Sequence, residues 1–216
     1  MAGRQLFYVS LGLDILALML SALLNPELTL MILLYILASR AYSYRGIRLK
    51  KYPIAGFVTV FFFQGAFTYL LVTNTLEWSM HNNVYLAATA TSLMIGASYP
   101  LTQIYQHKQD RKDGVITLSI LLGIRGTFIF SGIFFLVSLL TFLFYFQEQH
   151  HFTHFLFFAF FTSPVVLYFL YWFYRTYKDP LQANFENAMM MNKMAAYSLI
   201  AAFTGLIVIN SPRIIL

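Results

Sequence analysis

Apolar residues in this chain come in blocks, each about as long as a helix needs to cross a bilayer, with short polar breaks between them. Seven such runs can be read, at 7–24, 27–43, 53–75, 82–105, 125–147, 152–174 and 191–210. They are continuous rather than striped, so the solvent they ask for is lipid, not water. Composition agrees: 59% of the 216 residues are hydrophobic and 10% are charged, where a soluble domain carries about a quarter charged. A chain crossing lipid must satisfy its backbone internally, and runs of this length do so as helices. The expected fold is all-α, a polytopic transmembrane bundle of about seven spans. Only Asn25 and Pro26 separate the first two runs, which predicts a tight helical hairpin.

The charges orient the bundle. If the spans alternate, every lysine and arginine except Arg213 falls on one side. They occupy three loops, after the second, fourth and sixth runs, with Arg4 beside them. The excess of basic residues in cytoplasmic loops places these loops and the N-terminus in the cytoplasm. Glu27, Glu77, Glu148, His81, His150, His151 and His154 then face the other way. The net charge of +6 is a cap on a membrane protein, which argues against nucleic-acid binding. Six further runs follow the first, and no small-residue cleavage site precedes its polar break, so it reads as a span and not a signal peptide. The absence of cysteine excludes disulfides, thiolate metal sites and cysteine nucleophiles. Aromatic residues near span ends, Trp78, Tyr145, Trp172 and Tyr174, fit an interfacial belt. The Phe-rich fifth and sixth runs face either lipid or an apolar cavity.

Three groups of residues could carry chemistry. The first is Gln106-His107-Lys108-Gln109-Asp110-Arg111-Lys112-Asp113-Gly114. Asp110 and Asp113 are three apart and would share a helix face. Such a pair can hold Mg²⁺ that also bridges phosphate oxygens, with Arg111 and Lys112 contacting the same phosphates. An ordinary solvated loop that only sets topology has the same composition. The second is Tyr42 to Pro53, where Arg45, Arg48, Lys50 and Lys51 have no acid nearby. They suit an anionic head group, or again only topology and anionic lipid. The third is the polar set inside the runs: Asp14, Gln64, Asn74, Gln103 and Asn192. An acid within a span is a functional candidate by default, whereas glutamine and asparagine serve equally well as interhelical hydrogen-bond partners. His107 is a lone histidine beside Lys108. Nucleotide-binding glycine loops, zinc signatures and serine-hydrolase elbows are absent.

The stretch YPLTQIYQHKQDRKDGVITLSILLG, Tyr99 to Gly123, resembles the second aspartate-rich motif of the UbiA superfamily of intramembrane prenyltransferases. Asp110, Arg111, Gly114, Thr117, Leu118 and Leu122-Gly123 match it, and Gln106 stands at its first aspartate position. The segment YSYRGIRLKKYPIAGF resembles that family's other cytoplasmic loop, through Tyr42, Ser43, Arg48, Leu49, Lys50 and Gly56. The resemblance implies one transmembrane domain over 1–216, its seven spans corresponding to the last seven of nine. The family's first aspartate-rich motif and two N-terminal spans are then expected to be missing from this form.

The resemblance also implies an activity: Mg²⁺-assisted transfer of a polyprenyl group from its diphosphate to an apolar acceptor. Asp110 and Asp113 would be the catalytic acids and metal ligands. Arg48, Lys50, Arg111, Lys112 and Tyr42 would contact the diphosphate. The partners are a prenyl diphosphate, an apolar acceptor and membrane lipid, and the expected location is a bacterial inner membrane. Gln106 and the missing motif keep a second reading open, a catalytically inactive membrane protein that binds lipid or a partner. A small transporter is a weaker third reading, because no inverted repeat or pair of broken helices is visible.

Overall fold

The computed structural model describes residues 3–76 and 82–210. Glu77, Trp78, His81 and Arg213 lie outside the described residues, as does the side chain of Arg4. Every regular element among the described residues is helical.

α1 (Gly3–Ala22) and α2 (Pro26–Ser43) form the expected hairpin. Asn25 caps α2 by accepting the Glu27 amide hydrogen at 2.7 Å, and Pro26 occupies the first helical position, where its missing N–H costs nothing. An ion pair ties the two helices together. Arg40 Nε donates to Asp14 Oδ2 at 3.0 Å, and Nη2 donates to the same oxygen and to Ser10 Oγ, the latter at 3.0 Å. The sequence placed Arg40 in the following loop and left Asp14 as a candidate functional acid. The structure instead puts Arg40 in the last turn of α2, where its long side chain can reach back and neutralise Asp14.

α3 (Pro53–Val60), a π-helical segment (Phe61–Phe67) and α4 (Thr68–Thr75) run on as one membrane-length rod. A π turn separates the Phe61 carbonyl from the Ala66 amide, and the hydroxyl of Ser92 sits between them. It donates to Phe61 O at 2.8 Å and accepts from Ala66 N at 2.7 Å. Gly65 makes this possible: a Cβ there would lie 2.4 Å from Ser92 Cα. The partner helix, α5 (Asn82–Gln103), answers with small buried residues, Ala87, Ala88, Ala90, Ser92 and Ala97. Small residues let helix backbones approach closely in lipid, where no hydrophobic drive pulls helices together.

α5 is the hub of the bundle, packing on the α3–α4 rod, on α7 (Leu118–Glu148) and on α9 (Phe185–Asn210). α8 (Phe152–Lys178) packs on α7 and α9. One aromatic-rich core, around Phe128, Phe169, Trp172 and Met191, fills the end nearest the basic loops. A second, around Phe142, Phe146, Phe158 and Leu206, fills the far end. Trp172 packs inside the bundle rather than facing lipid. It is 1% exposed, and its indole N–H finds Gln182 O at 2.8 Å, which is how a buried indole is normally satisfied.

Six helical stretches are long and apolar enough to cross a bilayer. α2 is less apolar, with Glu27 and Arg40 at its ends, but its 18 residues extend about 27 Å, close to the hydrocarbon thickness. The fifth run begins at Leu118 and the last at Phe185, earlier than the sequence suggested, because both helices carry polar residues such as Arg125, Glu186 and Lys193 near their basic ends.

Candidate functional site: a polar mouth over an aromatic wall

The two basic loops meet at one end of the bundle. After α2 the chain turns sharply: Arg48 N donates to Tyr44 O at 2.6 Å, with Arg48 itself in the left-handed region at φ 49°. A 3₁₀ turn (Leu49–Lys51) and Pro53 then open α3. After α5 a 3₁₀ turn (Ile104–Gln106) leads into the short α6 (His107–Lys112). The helical run from Asn83 to Lys112 is 30 residues, about 45 Å, which exceeds the hydrocarbon core of about 30 Å. α6, the polar end of that run, lies beyond the lipid. Gly114, at φ 65°, turns the chain back, and Val115 N donates to Asp110 O at 2.8 Å. Thr117 caps α7 through the Ile120 amide at 3.3 Å.

Three contacts lock the loops to each other. Ile116 N donates to Lys51 O at 3.3 Å. Tyr42 and Tyr99 share a hydrogen bond between hydroxyls at 2.8 Å. Gly56 lies beneath Lys50, and a Cβ there would sit 3.2 Å from Lys50 Cα and 3.6 Å from the Tyr99 hydroxyl. The glycine is thus required by close approach rather than by backbone angle.

Asp110 is half-buried in this mouth. Burial raises its pKa above the ordinary carboxylate range, the neighbouring Lys50 and Arg48 pull it back, and Asp113 pushes it further up. The same carboxylate is within electrostatic reach of the Tyr42 and Tyr99 hydroxyls. Asp110, Arg48, Lys50 and Tyr42 are therefore brought together as a half-buried set. Arg111, Lys112 and Asp113 stand on the exposed rim, and Asp113 accepts a hydrogen bond from Gln109 Nε2 at 3.2 Å. Gln106, at the position of the missing acid, turns back on its own helix and donates to Thr102 O at 3.1 Å and Tyr105 Oη at 2.9 Å.

In the sequence His107 is only a lone histidine beside Lys108. Here Nε2 is 2.8 Å from Ser119 Oγ, which is 3.0 Å from Thr127 Oγ1. Thr127 in turn donates to Gly123 O at 2.7 Å. Gly123 interrupts α7 at φ 68°, and this chain of hydroxyls braces the break and ties α6 to it. Burial and Arg111 hold the imidazole below its ordinary pKa, which favours the neutral ring. Tyr99 and the wall below it were also not read as functional. Phe57 lies 6.4 Å from Tyr99, 5.4 Å from Phe130 and 5.8 Å from Phe134, ring centre to ring centre. Position alone identifies these residues, since nothing distinguishes their phenylalanines from the others in the sequence.

The UbiA prenyltransferase family matches residues 1–206. The chain belongs to that family. No curated protein and no solved structure matches the sequence. This UbiA-family chain is a prenyltransferase-like integral membrane protein. Among its described residues no three His, Cys, Asp or Glu side chains gather as a metal site. Two carboxylates, Asp110 and Asp113, would be enough only for an ion brought in by a phosphate ligand, since Mg²⁺ sites of that kind use one or two carboxylates.

Proposed function

We propose that the chain transfers a polyprenyl group from its diphosphate to an apolar acceptor, with the diphosphate held at the polar mouth and the prenyl chain in the bundle. The observation that carries this is the half-buried set of Asp110, Arg48 and Lys50 placed above the Phe57–Phe130–Phe134 wall.

Each part has a chemical task. Breaking the C1–O bond sends its electron pair to the diphosphate and leaves an allylic carbocation. Arg48 and Lys50, fixed by the turn and by the Ile116–Lys51 bond, stabilise the departing anion, and such prepositioned charge is worth most where water is excluded. Asp110 and Asp113 are the residues that would hold Mg²⁺, which when bound supplies further positive charge to the leaving oxygens. The tyrosine pair presents a hydroxyl at the boundary between mouth and wall. The aromatic rings below offer negative faces to a cation without offering it a nucleophile. The acceptor then attacks the carbocation and loses a proton. Positive-inside orientation places the mouth in the cytoplasm, and a bacterial inner membrane is the expected setting.

The test needs no acceptor. Farnesyl diphosphate binding to the detergent-solubilised protein is measured by calorimetry with and without Mg²⁺. We expect Mg²⁺-dependent binding that weakens about tenfold or more in Asp110→Asn and in Lys50→Gln, the loss typical of one charge-assisted contact. Rim variants such as Lys112→Gln lose less. Binding that ignores both Mg²⁺ and Asp110→Asn would reject the reading and return the chain to a lipid-binding role.

A further inference from the structure

α7 has a second working edge. Phe130 and Phe134 face the proposed site, whereas Gly132, Leu136 and Leu139 turn toward α8 and α9 and line a separate cavity of about 260 Å³. Val166 and Leu170 of α8 complete its mouth. The mouth opens outward: Leu136 is 58% and Leu170 55% exposed. The cavity's hydroxyls are all engaged elsewhere. Ser98, Ser138 and Thr162 donate to Met94 O, Ala90 O and Phe158 O at 2.8 to 2.9 Å. An occupant meets no unsatisfied polar group and must be hydrocarbon. A cavity of about 150 Å³ accepts a benzene ring, so this one accepts a chain of several carbons.

Beyond the cavity, toward the basic end of the same face of α7, stands Arg125. That guanidinium carbon stacks 4.2 Å from the Tyr177 ring centre, and Nη2 donates to Tyr177 O at 3.4 Å. A guanidinium has five N–H donors, so most remain free, and among the described residues the ion-paired arginine is Arg40, not Arg125. Arg125 is exposed and stands seven residues, about 10 Å, above Gly132 on the same face of α7.

We infer that the α7–α8 groove binds one anionic membrane phospholipid, its phosphate at Arg125 and one acyl chain in the cavity beneath. The spacing from cation to cavity matches the distance from a phosphate through glycerol to the first methylenes. A single guanidinium suits a single phosphodiester, and the outward-facing mouth draws from the bilayer rather than from the site at Asp110. The proposal stands independently of the proposed prenyl transfer.

Native mass spectrometry of delipidated protein, titrated with phosphatidylglycerol or phosphatidylcholine, tests it. One phosphatidylglycerol per chain is expected, bound about fivefold more tightly than phosphatidylcholine, the preference one basic residue confers on an anionic lipid. Arg125→Gln should erase that preference. Because Arg125 is exposed, the substitution spares the core and this arm decides alone. Ala195→Phe, which fills the cavity, should weaken both lipids, and Arg175→Gln, on the other face of α8, should change neither. Equal binding of the two lipids by the unmodified chain, or a preference that survives Arg125→Gln, overturns the assignment. So does Arg125-dependent displacement of phosphatidylglycerol by farnesyl diphosphate, which would make the groove a substrate site.

Discussion

Ser92→Ala removes one hydroxyl with its two hydrogen bonds and almost no volume, yet it should be among the more damaging single changes in α5. The hydroxyl lies 2.8 Å from Phe61 O and 2.7 Å from Ala66 N, and Ser92 is 2% exposed. Without it the Phe61 carbonyl and the Ala66 amide, one π-helical turn apart, keep only each other in a membrane interior with no water to replace the hydroxyl. A buried hydrogen bond is worth about 0.5–1.5 kcal/mol, so losing both should cost about 1–2 kcal/mol. Ser98 is the internal control. Its hydroxyl donates to Met94 O of its own helix at 2.9 Å, a carbonyl that the helix already satisfies, so Ser98→Ala should change stability by less than about 0.5 kcal/mol. Thermal unfolding in bicelles, followed by circular dichroism, compares the two. If Ser92→Ala melts with Ser98→Ala, the inserted hydroxyl does not hold the π turn open and the reasoning fails. Gly65→Ala should be at least as harmful, because its Cβ would lie 2.4 Å from Ser92 Cα and backbone must move.

Other expectations follow from the same contacts. Asp14→Leu strands Arg40 and should cost about 1–2 kcal/mol, less than a fully buried pair because both groups keep some exposure. The Asp14→Leu/Arg40→Leu double variant should recover most of that loss in the same melts, and loss of farnesyl diphosphate binding by Asp14→Leu at unchanged stability would instead give Asp14 a functional role. Asp110 has a raised pKa in the fold, so its ionisation opposes folding: the stability it contributes is complete below the ordinary carboxylate range and is lost as pH rises through the folded value. Asp110→Asn should therefore raise the melting temperature at pH 7 but not near pH 3, while weakening Mg²⁺-dependent diphosphate binding about tenfold or more. A melting temperature unchanged or lowered at pH 7 would show that Lys50 and Arg48 outweigh burial. Arg48→Gly relieves the left-handed backbone at φ 49°, a strain of about 1 kcal/mol, and removes a cation. It should leave stability equal or higher and weaken diphosphate binding. A loss of stability would mean that the Arg48 side chain holds the loop.

Much of the architecture was legible because the bilayer imposes it. Seven apolar runs, the Asn25-Pro26 break and the one-sided lysines and arginines specify spans and order, since lipid tolerates neither open backbone nor unpaired charge. Asp110, Gly114 and Thr117 could be singled out as a motif because their spacing is local. The fate of Asp14 could not be read in the same way, because its partner Arg40 is 26 residues away and both looked like independent charges. Trp172 looked interfacial for a similar reason: its place near a helix end is local information, while its packing against Phe128 is not. The wall of Phe57, Phe130 and Phe134 draws on α3 and α7, and nothing in their surrounding sequence separates these rings from the phenylalanines that face lipid. Hydropathy and charge act residue by residue against the solvent, so the order of amino acids specifies a helical membrane bundle with a charged end. Packing alone settles which charges are paired, which join Asp110 in the mouth, and where the bundle keeps a cavity. Those depend on close approach between distant helices, at Gly65 against Ser92 and at Tyr42 against Tyr99, and close packing is a property of pairs rather than of residues.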